Sequence, residues 1–365
     1  MRRIVVTGIS CLGPVAGGVE QFAAAFREER PLGHTESVDT LRGRRRELRL
    51  CRLAPFDRET FLPAHKLRRM DELSQVWTIA CLEARADAGL EATDSGEAHH
   101  SPESRATFLG TGFGCIECTW TYLETISTGG AAAANPFLFS ESVANAPAGH
   151  SAIELDARGQ NCTLTCGDAS AVAAVAAGTQ AIRDGRAEIA YCGGVELFPP
   201  PLVRVLAAAG APAFLGEGCV CLVLESLESA RARRARIYAE IAGRAAASDP
   251  GCGSTEWSVD VARMASVLRR VAHGDVPRTV RKVFLHASGS EAAESAESAA
   301  AALVFPDAPT VAVAHVFGSM AAAGGFSLAL ATRDASCITA EETGIVTAWS
   351  WGGGLHAVSL SGPPP

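Results

Sequence analysis

Charge is scarce in this chain: Asp, Glu, Lys and Arg together make up 20% of its 365 residues. A lone protomer would be short of polar surface, which predicts that some apolar surface is covered by another subunit. The charge that is present sums to −8, which argues against nucleic acid as a partner. The one basic run, LRGRRRELRLCR at 41–52, reads as a solvated face, with Arg44, Arg45 and Arg46 a candidate patch for an acidic partner. No run of 18 uninterrupted apolar residues occurs, so no membrane span is expected. The start, MRRIVVTGIS, lacks the long apolar segment of a signal peptide and passes straight into a strand-like run. Metal ligands are lacking too. Cys115 and Cys118 form a single CxxC without a second pair, and His99 and His100 share a loop with no further ligand nearby. Gly112-Phe113-Gly114 is an incomplete GxGxxG with no acidic ribose partner at the right distance. No cofactor and no metal are expected.

What is abundant is small and apolar. Hydrophobic residues make up 48% and glycines number 36, which favours close-packed layers over disorder. The length suffices for two core-sized units or one fused one. The 12 cysteines sit in apolar surroundings such as CVCLVLE and read as small buried hydrophobes of a reducing cytoplasm. Strand-like runs recur at 4–8, 106–112, 162–165, 188–192, 219–225, 237–241, 282–287, 310–316, 344–349 and 356–360. Helical patterns lie between them at 19–29, 71–89, 169–184, 259–271 and 290–303. This alternation predicts α/β layers. The chain divides into residues 1–230 and 231–365, joined by SLESARARRARIYAEIAG; no literal repeat links the parts. Loops are expected at 91–105 and 248–256, and a frayed tail at SGPPP.

One stretch carries chemistry: TLTCGDASAVAAVAAG, 163–178. A short strand, a sharp Cys-Gly turn and a small-residue helix is how several enzyme families present a nucleophile. Cys166 ends the strand, and Asp168 stands where the helix begins.

Seven segments in order resemble the β-ketoacyl synthase family. They are RRIVVTGISCLGPV, MDELSQVWTIACLEARADAGL, FLFSESVANAPAGHSAIELDARGQNCTLT, FLGEGCVCLVLESLESARARRARIYAEIAG, VFLHASGSEAAESAESAAAALVF, VAHVFGSMAAAGGFSLALA and WGGGLHAVSL. The resemblance covers nearly the whole chain. It implies an α/β, thiolase-like fold, two similar halves in five α-β-α-β-α layers. It also implies a cysteine nucleophile at the N-terminus of a buried helix, two histidines, and acyl chains delivered by a carrier protein. A helix N-terminus favours a thiolate, and backbone N–H groups form an oxyanion hole.

Spacing places the nucleophile position at Asp168. Gly159 of ARGQ matches the family glycine nine residues before it, and Gly185 of DGRAE matches the glycine seventeen residues after it. Cys166 fits only with compensating insertions and deletions. Acyl transfer from a thioester to a carboxylate makes an anhydride and runs uphill, so Asp168 reads instead as the N-cap of the helix, with a lowered pKa. The first family histidine matches His286, whose plain reading is a satisfied core histidine. The second matches Ser319. The family lysine matches Ala314, with His315 one residue away; the Asn of the Gly-Gly-Thr-Asn close matches His356. The aromatic before those glycines matches Gly352, although Trp349 and Trp351 leave that register open.

Members of the family that keep the fold and lose the cysteine resemble the chain length factor, the ketosynthase β subunit of type II polyketide synthases. Such a subunit forms a heterodimer with a catalytic ketosynthase and closes the end of its acyl tunnel. Asp168, where the aromatic-polyketide members carry Gln, and the short length resemble the polyene-making, highly reducing branch. The resemblance places the tunnel gate at Ile116, Thr119 and Leu123, which share one helix face at i, i+3 and i+7; any interface helix carries such a stripe, and Trp120, off that face, is an alternative plug. The strand at 162–165 is expected to pair across the dimer. The expectation is therefore a catalytically inactive cytoplasmic subunit. The alternatives are an active synthase using Cys166 and a stand-alone homodimer that decarboxylates malonyl-carrier protein through His286.

Overall fold

The computed structural model describes residues 2–40, 43–90, 100–210, 213–274, 276–319 and 324–365. Ten strands form one mixed sheet, running Thr310–Ala312, Thr279–Leu285, Glu342–Ser350, Gly354–Ser361, Ala239–Ser248, Ile4–Leu12, Gly218–Ser226, Ile189–Glu196, Arg105–Gly110 and Asn161–Leu164. Strands before residue 230 fill one flank and those after it the other, joined where Val5 and Val6 pair with Glu240 and Ala239. IAYCGGVE and GCVCLVLES are buried almost end to end, because helices cover both faces.

Two small-residue helices, Ser170–Arg183 and Gly324–Ala335, pack against each other and against strands of both flanks. Their composition permits the approach: a Cβ on Gly178 would lie 2.1 Å from Cys192 Sγ. Glu72–Asp87 and Ala146–Glu154 pack on the first flank from outside, and Val261–His273 and Glu291–Val304 on the second. The result is the α-β-α-β-α layering expected from the sequence.

Several details differ. The run at 310–316 ends as a strand at Ala312 and turns into the short helix Ala314–Phe317. The basic run is not simply a solvated face. Arg45–Cys51 is a strand between His34–Asp39 and Phe214–Gly216, and it buries Leu48, Leu50 and Cys51. Residues 41–42 lie outside the described residues. In the candidate patch, Arg45 pairs with Asp39, and Arg46 donates to the Ala207 carbonyl at 3.3 Å. The SGPPP tail is packed down rather than frayed, with Ser361, Gly362 and Pro364 buried. All 12 cysteines are free thiols, eight of them buried. His99 lies outside the described residues, and His100 bridges Glu188 and Ser229 at 3.1 and 3.2 Å. Among the described residues no helix is long and apolar enough to cross a membrane, and no cluster of three metal-ligating side chains occurs.

Candidate functional site

The Asn161–Leu164 strand delivers the chain to Cys166, and Gly167, at φ +57°, reverses it into a one-turn 3-10 helix, Gly167–Ala169. Ser170 ties this corner: its Oγ accepts the Cys166 N–H at 2.9 Å and lies 3.1 Å from the Thr111 carbonyl it donates to. The long helix starts at Ser170, with Ala169 at the N-cap. Asp168 makes no capping hydrogen bond, which corrects the N-cap expectation. Because the extra 3-10 turn carries the chain past the cap position, the carboxylate faces His286 instead, with Oδ2 3.6 Å from Nε2.

His286 ends the Thr279–Leu285 strand and is held through its backbone. Its N–H lies 2.9 Å from Glu297 Oε1 and 3.1 Å from Thr347 Oγ1, while the Ala287 N–H donates to Glu297 Oε2 at 3.1 Å. Thr347 Oγ1 donates to Glu297 Oε1 at 2.6 Å. The imidazole is 0% exposed, yet among the described residues neither ring nitrogen has a hydrogen-bond partner. It is therefore buried but not the satisfied core histidine expected. Trp257 stands over it, ring centroids 5.3 Å apart.

The electrostatics follow from burial. Desolvation holds the Asp168 carboxyl above its ordinary value, opposed by the imidazole of His286, so the lowered pKa expected at a helix start is not what the site produces. Glu196, at the end of Ile189–Glu196, accepts the Gly112 N–H at 2.6 Å. Burial pushes its carboxyl up to about 8 against those backbone donors, and the nearby charge of Asp168 adds to the rise. Burial likewise raises the Cys166 thiol, leaving it a poor thiolate source at neutral pH.

Among the described residues, the remaining matched positions make no hydrogen bond to this pair. Ser319 is buried, and its backbone is clipped to Phe214–Gly216 by bonds of 3.0 and 2.8 Å. Ala314 starts a short helix, and the adjacent His315 points to the surface, paired with Glu294 at 3.1 Å. His356 faces Ala348 and Ala246 within the sheet, its pKa lowered by burial. Gly352 turns at φ +76°; Trp349 is buried in the sheet and Trp351 packs edge-on to Trp257.

The gate residues lie on the helix Ile116–Gly129. Ile116 packs against the main core and lines a cavity of about 570 Å³ with Phe56, Leu73 and Phe198. Thr119 is half-buried and its Oγ1 lies 2.9 Å from the carbonyls of Cys115 and Ser142. Leu123 is 58% exposed, and Trp120 is also on the surface. Cys118 of the CxxC lies 3.4 Å from the Leu138 carbonyl as a buried thiol.

Sequence reasoning missed Glu196, Glu297 and Trp257. Glu297 left a signal: it shares the buried stripe Ala293, Ala296, Ala300 and Ala301, where an unpaired carboxylate does not belong. Glu196 and Trp257 left none, since their partners come from distant segments.

The profile described as "Beta-ketoacyl synthase, N-terminal domain" matches residues 1–230. The chain belongs to the β-ketoacyl synthase family. A 3-oxoacyl-acyl-carrier-protein synthase 2 of Synechocystis sp. is 28% identical over 285 residues, 68% of this chain and 63% of that protein. The chain thus aligns with under two thirds of that ketosynthase's length. A putative polyketide β-ketoacyl synthase 1 of Streptomyces virginiae is 28% identical over 329 residues, covering 82% of this chain and 76% of that one. The solved ishigamide ketosynthase/chain length factor superposes with a TM-score of 0.83 at 24% identity, over 100% of both chains. The fold is thus the thiolase-like ketosynthase fold.

Proposed function

We propose that this chain is a non-catalytic ketosynthase-like subunit, a chain length factor, that pairs with a cysteine-bearing ketosynthase and shapes the tunnel for a carrier-bound polyketide. The observation that carries the reading is the corner itself. A half-buried carboxylate stands where the spacing assigns the nucleophile, 3.6 Å from the one matched histidine, and the pKa of the nearest thiol in sequence, Cys166, is raised by burial. A carboxylate does not accept an acyl group from a thioester downhill, and Ser319 and Ala314 supply neither the second imidazole nor the ammonium. The relatives' names, a carrier-protein synthase and a ketosynthase/chain length factor, support the partner classes. The same reading takes residues 1–230 and 231–365 as the two halves and Ile116, Thr119 and Leu123 as the gate, and assigns the chain to the highly reducing branch.

The test is co-expression with a cysteine-bearing type II ketosynthase, then size-exclusion chromatography and condensation assays. A 1:1 complex should form. Its condensation should stay within about twofold on Asp168→Ala, because that side chain supports no step, and vanish when the partner's cysteine is replaced. A homodimer that condenses alone and is silenced by Cys166→Ala would overturn the proposal.

A further inference from the structure

Glu196 is 0% exposed, and the charge that acts on it, that of Asp168, has the same sign. A carboxyl buried without a counter-charge is unfavourable, so its place in the fold calls for a reason. Among the described residues, every hydrogen bond it accepts comes from one turn. The Gly112 N–H donates to Oε2 at 2.6 Å and the Phe113 N–H at 3.4 Å, while Thr111 Oγ1 lies 3.4 Å from both carboxyl oxygens.

That turn leads two ways. Forward along the chain, the Gly114 N–H donates to Thr111 Oγ1 at 3.1 Å, and the Ile116 N–H to the Gly114 carbonyl at 2.8 Å. The helix Ile116–Gly129 follows, and Cys115 at its N-cap makes no side-chain capping bond. With no cap of its own, the helix takes its starting point from the bend before it. Gly114 turns there at φ +67°, where a Cβ would lie 3.0 Å from Ala144 Cβ. In the other direction, the Thr111 carbonyl accepts from Ser170 Oγ, the hydroxyl that also holds the Cys166 N–H. One carboxyl thus stands at the joint between the Asp168 corner and the first residue of the proposed gate.

We propose that Glu196 is a positioning residue for the gate: it fixes where the helix Ile116–Gly129 begins relative to the Asp168 corner, and so how far Ile116 reaches into the tunnel. The role needs an acceptor for the Gly112 amide and a polar neighbour for the Thr111 hydroxyl, which a neutral amide also supplies. Its consequence for product length rests on the partner-subunit reading; the hold on the turn does not, and the two are measured separately.

Hydrogen exchange read by peptide mass spectrometry on the purified protein, alone or in its complex with the ketosynthase, reports the turn in peptides spanning 111–119. Glu196→Ala should raise exchange there about tenfold or more and leave the sheet strands unchanged, whereas Glu196→Gln should stay within about threefold of wild type. In the complex, at unchanged assembly on size-exclusion chromatography, Glu196→Ala should spread the products over neighbouring chain lengths, and Glu196→Gln should restore the wild-type length. Should Glu196→Ala fail to fold, Thr111→Val takes its place, because it removes the hydroxyl that joins the carboxyl to the Gly114 amide. A folded Glu196→Ala whose turn exchanges like wild type would overturn the proposal. So would a loosened turn with unchanged products, where Ile116→Ala does change them. Products unchanged in both variants would overturn the gate reading, with the hold on the turn still supported by exchange.

Discussion

Asp168 and Glu196 show what burial does to a carboxyl that has no cation to pay for it. Asp168 keeps an imidazole for company; Glu196 has the backbone donors Gly112 and Phe113. With a folded value of about 8 against an ordinary 4.5, Glu196 binds its proton more tightly in the native state than in the unfolded one. Its contribution to stability is therefore full below the unfolded value and is lost as pH rises towards 8. Wild-type protein should lose on the order of 2 kcal/mol from this group between pH 6 and 8. Glu196→Gln should flatten that slope, as thermal unfolding across the range will report. A slope of equal steepness in the variant would locate the titration elsewhere. The spacing of Gly159 and Gly185 singled out Asp168, but the orientation of its side chain was not legible. Whether a helix begins at residue 168 or 170 depends on Gly167, Ser170 and the distant Thr111 carbonyl together.

At the scale of the element, the helix Ile116–Gly129 carries the proposed gate. Ile116 reaches the core and the cavity beside it, whereas Leu123 is open to a partner. Ile116→Phe should shorten the product of the heterodimer and Ile116→Ala should lengthen it, each by about one extension unit, a change of a few carbon atoms matching the volume altered. Product masses check this, and unchanged products in both variants would remove Ile116 from the gate. Most long elements were readable because buried strands are continuous apolar runs and central helices are rows of alanine. The Arg45–Cys51 strand was not readable as such. Its arginines lie along the surface and bond carbonyls, as Arg49 does to Leu32 at 2.8 Å, so charge concealed the burial of Leu48 and Leu50.

Across the whole molecule, one flank of the sheet ends in the four-residue strand Asn161–Leu164, which has a neighbour on one side, Arg105–Gly110. Earlier in the chain, Trp120, Leu123, Phe137 and Phe139 are exposed on the helices Ile116–Gly129 and Pro136–Glu141, and Val143 in the turn that follows, Phe139 by 57%. An open edge together with exposed aromatics is unfavourable in water unless covered. Phe139→Asp and Leu123→Asp should each weaken assembly with the ketosynthase partner by about tenfold or more, read by size-exclusion chromatography, without lowering the unfolding temperature of the isolated chain. Variants that assemble normally would place the interface on another face.

The sequence by itself determined the layered α/β order and the run of strands and helices, because both rest on local periodicity. Only the tertiary structure decided where the Asp168 carboxylate turns and that the buried His286 ring packs against Trp257. Those outcomes depend on groups far apart in the chain, Thr111, Glu196, Trp257 and Thr347 among them, which meet only when both flanks of the sheet close on the central helices.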